Sequence, residues 1–167
     1  NRFAKKVTST DLGVKKRALL CAKVVKEMVS EKEYPNAGDS LVIHLRLGDV
    51  FGIIDDHPSS HKRPNLDKIL KAIQVNKCRK IIIVTAYAFG KGGYSTPDIV
   101  ERGIKESKNF LETIIKHIPP GVEHEIKSSE NPDDDFIFLV TAKNLLITGG
   151  SCFSKAAKFT NTCYKKL

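Results

Sequence analysis

The stretch Leu41-Val-Ile-His-Leu-Arg-Leu-Gly48 decides the fold. It is a compact aliphatic and β-branched run closed by a glycine, and such a run reads as a strand buried on both faces, as in parallel sheets. Tyr34-Pro-Asn-Ala-Gly-Asp39 precedes it with turn formers, and a polar, proline-containing stretch follows to about Arg63. Leu66, Ile69, Leu70 and Ile73 then recur at helical steps between Asn65 and Val75. Strand, loop and helix make a first unit, whose strand carries His44 and Arg46 towards its loop.

The alternation continues. Lys80-Ile-Ile-Ile-Val-Thr85 is a second continuous strand, followed by the glycine-rich Gly90-Lys-Gly-Gly-Tyr94 and a helix from Asp98 to about His117, stopped by Pro119-Pro-Gly121. A third, more alternating strand runs from Val122 to Lys127, and Asp133-Asp-Asp135 suits the N-terminus of a helix opening at Phe136. A fourth strand, Asn144 to Thr148, ends in Gly149-Gly-Ser151, and a last helix covers Ser154 to Tyr164. At the other end Val14, Ala18, Leu19, Ala22, Val25 and Val29 mark an amphipathic helix over 11–29. The pattern predicts an α/β fold, a Rossmann-like parallel sheet with helices on both faces, as a single domain over residues 1–167 with the N-terminal helix packed on it.

With 28 Lys and Arg against 19 Asp and Glu, the chain carries a net charge of +9, which suits phosphate-bearing partners: nucleotides, nucleic acid or an anionic membrane surface. Its longest apolar runs, such as Ile81–Val84 and Phe136–Val140, fall far short of the roughly 18 residues of a bilayer-spanning helix, so no transmembrane segment is expected. The chain opens at Asn1 rather than Met, which leaves localisation open between the Golgi or secretory lumen and the cytoplasm. Cys21, Cys78, Cys152 and Cys163 form no CxxC pair and read as buried free thiols rather than a zinc site or disulfide framework.

In an open parallel sheet, ligands collect beyond the carboxyl ends of the strands near a switch in strand order. Three features fall there. His44 and Arg46 alternate onto one side of the first strand; Arg46 offers a planar fork of donors for diphosphate oxygens, and Gly48 permits a tight turn. Thr148-Gly-Gly-Ser-Cys-Phe-Ser154 is a strand-to-helix turn whose free N–H groups and helix dipole make an anion site, although it has neither a Walker lysine nor the GxGxxG order. In Asp133-Asp-Asp135 a carboxylate beside a pocket can accept from the N1–H and amino group of guanine. Each has a structural alternative: a strand Arg paired with a carboxylate and a core His, a glycine turn, and helix N-capping.

Val42-Ile-His-Leu-Arg-Leu-Gly-Asp49 resembles the HxRxGD-type strand of the fucosyltransferase superfamily, which includes α1,2-, α1,6- and protein O-fucosyltransferases. Asp135-Phe-Ile-Phe-Leu-Val-Thr-Ala-Lys-Asn-Leu-Leu-Ile-Thr-Gly-Gly-Ser-Cys-Phe-Ser154 is similar to that family's carboxylate, apolar helix, strand and Ser-Phe-Ser turn, in family order. The resemblance implies the GDP-sugar-binding half of a GT-B glycosyltransferase, transferring fucose from GDP-fucose to a glycan hydroxyl with inversion, without a metal or other cofactor. It further implies that Arg46 binds the β-phosphate and supports the leaving GDP. By the same resemblance His44 and Asp135 sit around the guanine and Ser151, Cys152 and Phe153 line the diphosphate, with Gly48, Gly149 and Gly150 also in the donor site. Backbone donors and a guanidinium can stabilise a departing diphosphate without a metal; Asp55-Asp56 reads as a pair of loop carboxylates rather than a metal site.

Inversion needs a general base, and here the pattern departs from the α1,6-type enzymes, with apolar Phe51-Gly-Ile-Ile54 where they place a glutamate. Asp49 or Asp55 can serve, or can brace the loop. A GT-B enzyme also holds its acceptor against a second lobe that the residues before Leu41 are too few to build, so the cleft is expected to be completed by a segment outside this sequence or by a partner lobe or oligomer, or to be built in a reduced form. The alternative is a non-catalytic, basic Rossmann-like domain that binds nucleotide or nucleic acid. Lys5-Lys6, Lys15 to Arg17, His61 to Arg63 and Lys165-Lys166 are dispersed and accompany no RRM, KH or zinc signature, so no nucleic-acid partner is expected.

Overall fold

A computed structural model describes residues 11–53, 63–89 and 96–167. The fold is α/β and Rossmann-like. Four parallel strands, β1 (Leu41–Gly48), β2 (Lys80–Ala88), β3 (Glu123–Lys127) and β4 (Asn144–Ile147), lie in the order β3-β2-β1-β4. Around them lie α1 (Asp11–Glu31), α2 (Asp49–Gly52), α3 (Leu66–Val75), α4 (Pro97–Lys116), α5 (Pro132–Thr141) and α6 (Cys152–Tyr164). None of the described helices is long and apolar enough to cross a membrane.

The period of two along β1 divides its side chains between two cores. Leu41, Ile43, Leu45 and Leu47 pack with Ile69 and Ile73 of α3 and Ile114 of α4. Val42 packs on the opposite face with Phe138 and Leu139 of α5 and Ala157 of α6. This is why the strand reads as continuously apolar: both of its faces are covered, and each fully buried aliphatic side chain contributes about 1.5 to 3 kcal/mol. β3, at the sheet edge, is mostly exposed and carries Glu123 and Glu125, charges that discourage further strand pairing.

Several boundaries differ from the sequence expectation. β2 runs three residues beyond Thr85, to Ala88, and the one-turn α2 follows β1 directly. α5 opens at Pro132 rather than Phe136, because Asn131 supplies the cap: its side chain accepts from the Asp133 N–H at 3.1 Å, and a proline suits the first helical position. The three aspartates therefore sit inside the first turn, where the helix dipole favours them. α6 begins at Cys152, capped by Ser151, which accepts from the Ser154 N–H at 3.0 Å. In α1, Ala18, Ala22 and Val25 are buried, but Leu19 is 40% exposed. The helix rests mainly on α6, and on α5 where Val25 packs with Ile137 and Val140, and this contact leaves Leu19 uncovered. The four cysteines are free, as expected, but not buried: Cys21 and Cys152 are exposed and Cys78 and Cys163 half-buried. Cys21 lies on the outward side of α1 and Cys152 on the open first turn of α6.

The end of β1 is held by close backbone approach. Gly48 has φ 92°, and a Cβ there would stand 2.6 Å from the Ala88 carbonyl oxygen of β2. Its N–H donates to Ser107 Oγ of α4 at 2.9 Å, and a Cβ on Gly103, one turn earlier in α4, would stand 2.7 Å from the Gly48 carbonyl oxygen. A side chain at 48 therefore meets both a forbidden dihedral and a backbone wall. Gly48→Ala is expected to lower stability by about 2 to 5 kcal/mol, the sum of dihedral strain and overpacking, read as a lower urea midpoint with an unchanged slope.

Candidate functional site

β1 pairs with β2 along its full length, from Leu41 with Ile81 to Gly48 with Ala88, but with β4 only from Leu41 to His44. Beyond His44 the β4 side is open, and there the chain of β4 turns through Thr148 to Ser151 into α6. The strand order reverses at this place, since β2 and β3 lie to one side of β1 and β4 to the other. A cavity of about 400 Å³ occupies the crevice, lined by His44, Arg46, Ala88, Ser129, Pro132, Asp135, Gly150, Ser151, Cys152 and Phe153.

Alternation along β1 sends His44 and Arg46 to the α5 and α6 side. His44 is 3% exposed and shares a 2.9 Å hydrogen bond between its Nδ1 and Ser154 Oγ; Ser154 Oγ is in turn hydrogen-bonded to Ser151 Oγ. Its ring tilts against Phe153, centroids 5.6 Å apart, and Phe153 meets Phe136 edge-on. Burial pushes the His44 pKa down to about 4, so the imidazole is neutral at pH 7.

Arg46 keeps 28% of its side chain exposed, and its Nη2 donates to both oxygens of Asp49, at 2.9 and 2.7 Å. Its Nε is buried without a hydrogen-bond partner among the described residues. The guanidinium is thus anchored through one nitrogen while it still lines the cavity. Asp49, a sequence candidate for the general base, is 5% exposed and spends both oxygens on Arg46; its geometry is the bracing one. Across the cavity, Asp135 is 6% exposed, its Oδ2 accepts weakly from the Ser129 N–H at 3.4 Å, and its Oδ1 is buried with no partner. Burial raises its pKa, against the opposing pull of the Ser129 N–H and the charge of Lys127. The N–H groups of Cys152 and Phe153, the first two of α6, have no acceptor within their own helix and add to the positive end of its dipole.

The cavity therefore gathers His44, Arg46, Asp135, Gly150, Ser151, Cys152 and Phe153 from the sequence-derived set. Gly48 and Gly149 do not line it: Gly48 is the tight spacer described above, and Gly149, at φ 91°, shapes the turn from behind. Asp55, its neighbour Asp56 and the Gly90–Tyr94 loop lie outside the described residues. Sequence reasoning missed Ala88, Ser129 and Pro132. Their only signal was proximity to the end of a strand and to the aspartate run, because neither a small side chain nor a proline advertises a wall.

No protein-family model and no curated protein sequence matches the chain. Among solved structures the chain is similar to POFUT1 in complex with GDP, at 12% identity and a TM-score of 0.45, over 91% of this chain and 48% of that one. The chain spans about half the length of that structure.

The buried neutral histidine yields a pH dependence. Its pKa is depressed in the folded state, so between about 4 and 6.5 the unfolded chain binds the extra proton and stability falls as the pH drops. The loss is expected to reach about 3 kcal/mol below pH 4, at about 1.4 kcal/mol per pKa unit, relative to pH 7. Urea unfolding of the wild type and His44→Gln across pH 4 to 7 checks it: the difference in slope with pH should disappear outside that window.

Proposed function

We propose that this chain is the donor-binding half of a GDP-sugar-dependent glycosyltransferase of the fucosyltransferase type, moving fucose from GDP-fucose to a glycan hydroxyl. The observation that carries the reading is the meeting of the two motif stretches, residues 42–49 and 135–154, around one cavity lined by Arg46 and Asp135, each with one buried polar atom, Nε and Oδ1, that has no partner among the described residues. Leaving a buried donor or acceptor unpaired costs about 1 to 3 kcal/mol, and a ligand that supplies the partners recovers it. Asp135 Oδ1 suits the paired N–H donors of a guanine edge, with Phe153 and Phe136 as its apolar surround. Arg46 and the opening N–H groups of α6 suit a diphosphate.

In this reading the bond from the anomeric carbon to the diphosphate oxygen breaks as the acceptor hydroxyl attacks from the opposite face. The negative charge that builds on GDP is met by a guanidinium already held in place by Asp49 and by backbone donors fixed by the Ser151 cap, so little reorganisation is needed at the moment of reaction. Neutral His44 holds Ser154 and packs on Phe153, which keeps the turn in register with β1. The acceptor and a general base come from outside these residues, consistent with a partner lobe or oligomer.

The Arg46–Asp49 link favours a second reading, in which the guanidinium is purely structural and the domain binds without catalysis. Calorimetry separates the two. GDP is expected to bind the wild type, and Arg46→Ala to weaken that binding by about 1.5 to 3 kcal/mol, roughly tenfold to a hundredfold in Kd, while the urea midpoint moves little. A variant that unfolds, or that binds GDP unchanged, assigns Arg46 to structure; a wild type that gives no heat with GDP or GDP-fucose sinks the glycosyltransferase reading.

A further inference from the structure

Behind the turn that closes the donor cavity lies a second and larger one, of about 790 Å³, lined by Lys15, Lys68, Lys155, Lys158 and Lys166 together with Ala18, Asn65, Ile147, Thr148, Gly149, Phe159 and Thr162. Four of the five lysines come from three helices, Lys15 from α1, Lys68 from α3, and Lys155 and Lys158 from α6, while Lys166 lies just beyond α6. Among the described residues no acidic one lines the cavity, and none of the five ammonium groups is paired with a carboxylate. All five are exposed. Thr148, 5% exposed, lines the same cavity, and its Oγ1 is buried with no hydrogen-bond partner among the described residues. Phe159, 50% exposed, and Ile147 add an apolar wall.

Holding five like charges around one concavity is unfavourable on its own, and a cleft lined by one sign of charge focuses its field on a ligand of the opposite sign. Ammonium groups act as point charges with freely turning donors, which suits several phosphates spread over a compact scaffold rather than one planar carboxylate. The cations converge on a pocket and do not run as a stripe with interleaved aromatic side chains, which sets the site apart from a groove for an extended nucleic acid strand. We propose that this cavity is a binding site for a compact polyphosphorylated ring, of the inositol polyphosphate kind, either free or as the headgroup of a membrane lipid. Thr148 and Gly149 wall this site while Gly150 and Ser151 wall the donor cavity, so the two ligands would sit on opposite sides of one turn. The proposal stands independently of the GDP-sugar reading.

The test uses the 167-residue chain with inositol hexakisphosphate, in calorimetry at 0.15 M salt, beside vesicles with and without a phosphoinositide bisphosphate. Saturable binding is expected, weakened at least tenfold in Lys155→Glu/Lys158→Glu, with GDP binding by wild type and variant alike. The control is Lys77→Glu/Lys80→Glu, at the opposite end of the sheet, which should bind as the wild type does. Circular dichroism checks that each variant is folded, and Thr162→Glu, on the same wall, provides a second charge change should the double variant fail. Co-sedimentation with phosphoinositide vesicles alone assigns the lipid headgroup; binding of the hexakisphosphate without co-sedimentation assigns the free ligand. Three results overturn the proposal: no binding of either probe, equal weakening by the control pair, or tighter binding of random oligonucleotides that the Lys155 and Lys158 changes leave untouched. A chain that binds the hexakisphosphate but not GDP loses the donor-site reading and keeps this one.

Discussion

Strand β1 is paired on both sides only as far as His44, and the site depends on that one inequality. Up to His44 the strand is a central member of a parallel sheet, with apolar cores above and below. From Leu45 to Gly48 it continues against β2 alone, and the absent β4 neighbour leaves a crevice into which Arg46 projects. A β4 two residues longer would place backbone where the cavity now lies. The close contacts of Gly48 with Ala88 and α4 hold this unsupported end in place, so Gly48 fixes the platform from which Arg46 reaches the cavity.

Electrostatics around the crevice is arranged by burial more than by pairing. His44 is kept neutral by desolvation, which lets it serve as a hydrogen-bonding partner for Ser154 without placing a cation in the core. Asp135 is pushed the other way for a carboxylate, and the Lys127 charge and the Ser129 N–H only partly compensate. Arg46 and the buried Asp49 hold one another, and the partial exposure of Arg46 limits the desolvation that a fully buried ion pair would suffer. Arg46 and Asp135, which line the cavity, each keep one buried polar atom without a hydrogen-bond partner among the described residues.

The strand-to-helix turn at 148–151 has two sides, and the charge of the chain is distributed around both. Lysines that look scattered along the sequence come together because α1 lies on α6, and the N-terminal end of α3 reaches the same edge of the sheet. A net charge of +9 thus has a local expression that the total alone does not disclose.

Period and punctuation made much of the fold legible. The aliphatic run from Leu41, the repeat of apolar residues in α3 and the glycines after β4 are local patterns, and they specified strands, helices and their alternation to within a few residues. The pairing of residues 42–49 with residues 135–154 was legible too, because both end at the same side of any parallel sheet. Capping was not: Asn131 outcompeted the aspartates through a backbone dihedral that no residue count reveals. Nor was the exposure of Leu19 and Cys21 on α1, which depends on how much of that helix its neighbours cover. The amino-acid order by itself determined a parallel α/β chain with a guanidinium and a glycine turn at its carboxyl edge, because periodicity and turn chemistry act over a few residues. Only the tertiary structure decided that Asp49 braces Arg46, that Gly48 is a spacer and that five lysines share a cavity, because those outcomes turn on distances between segments far apart along the chain.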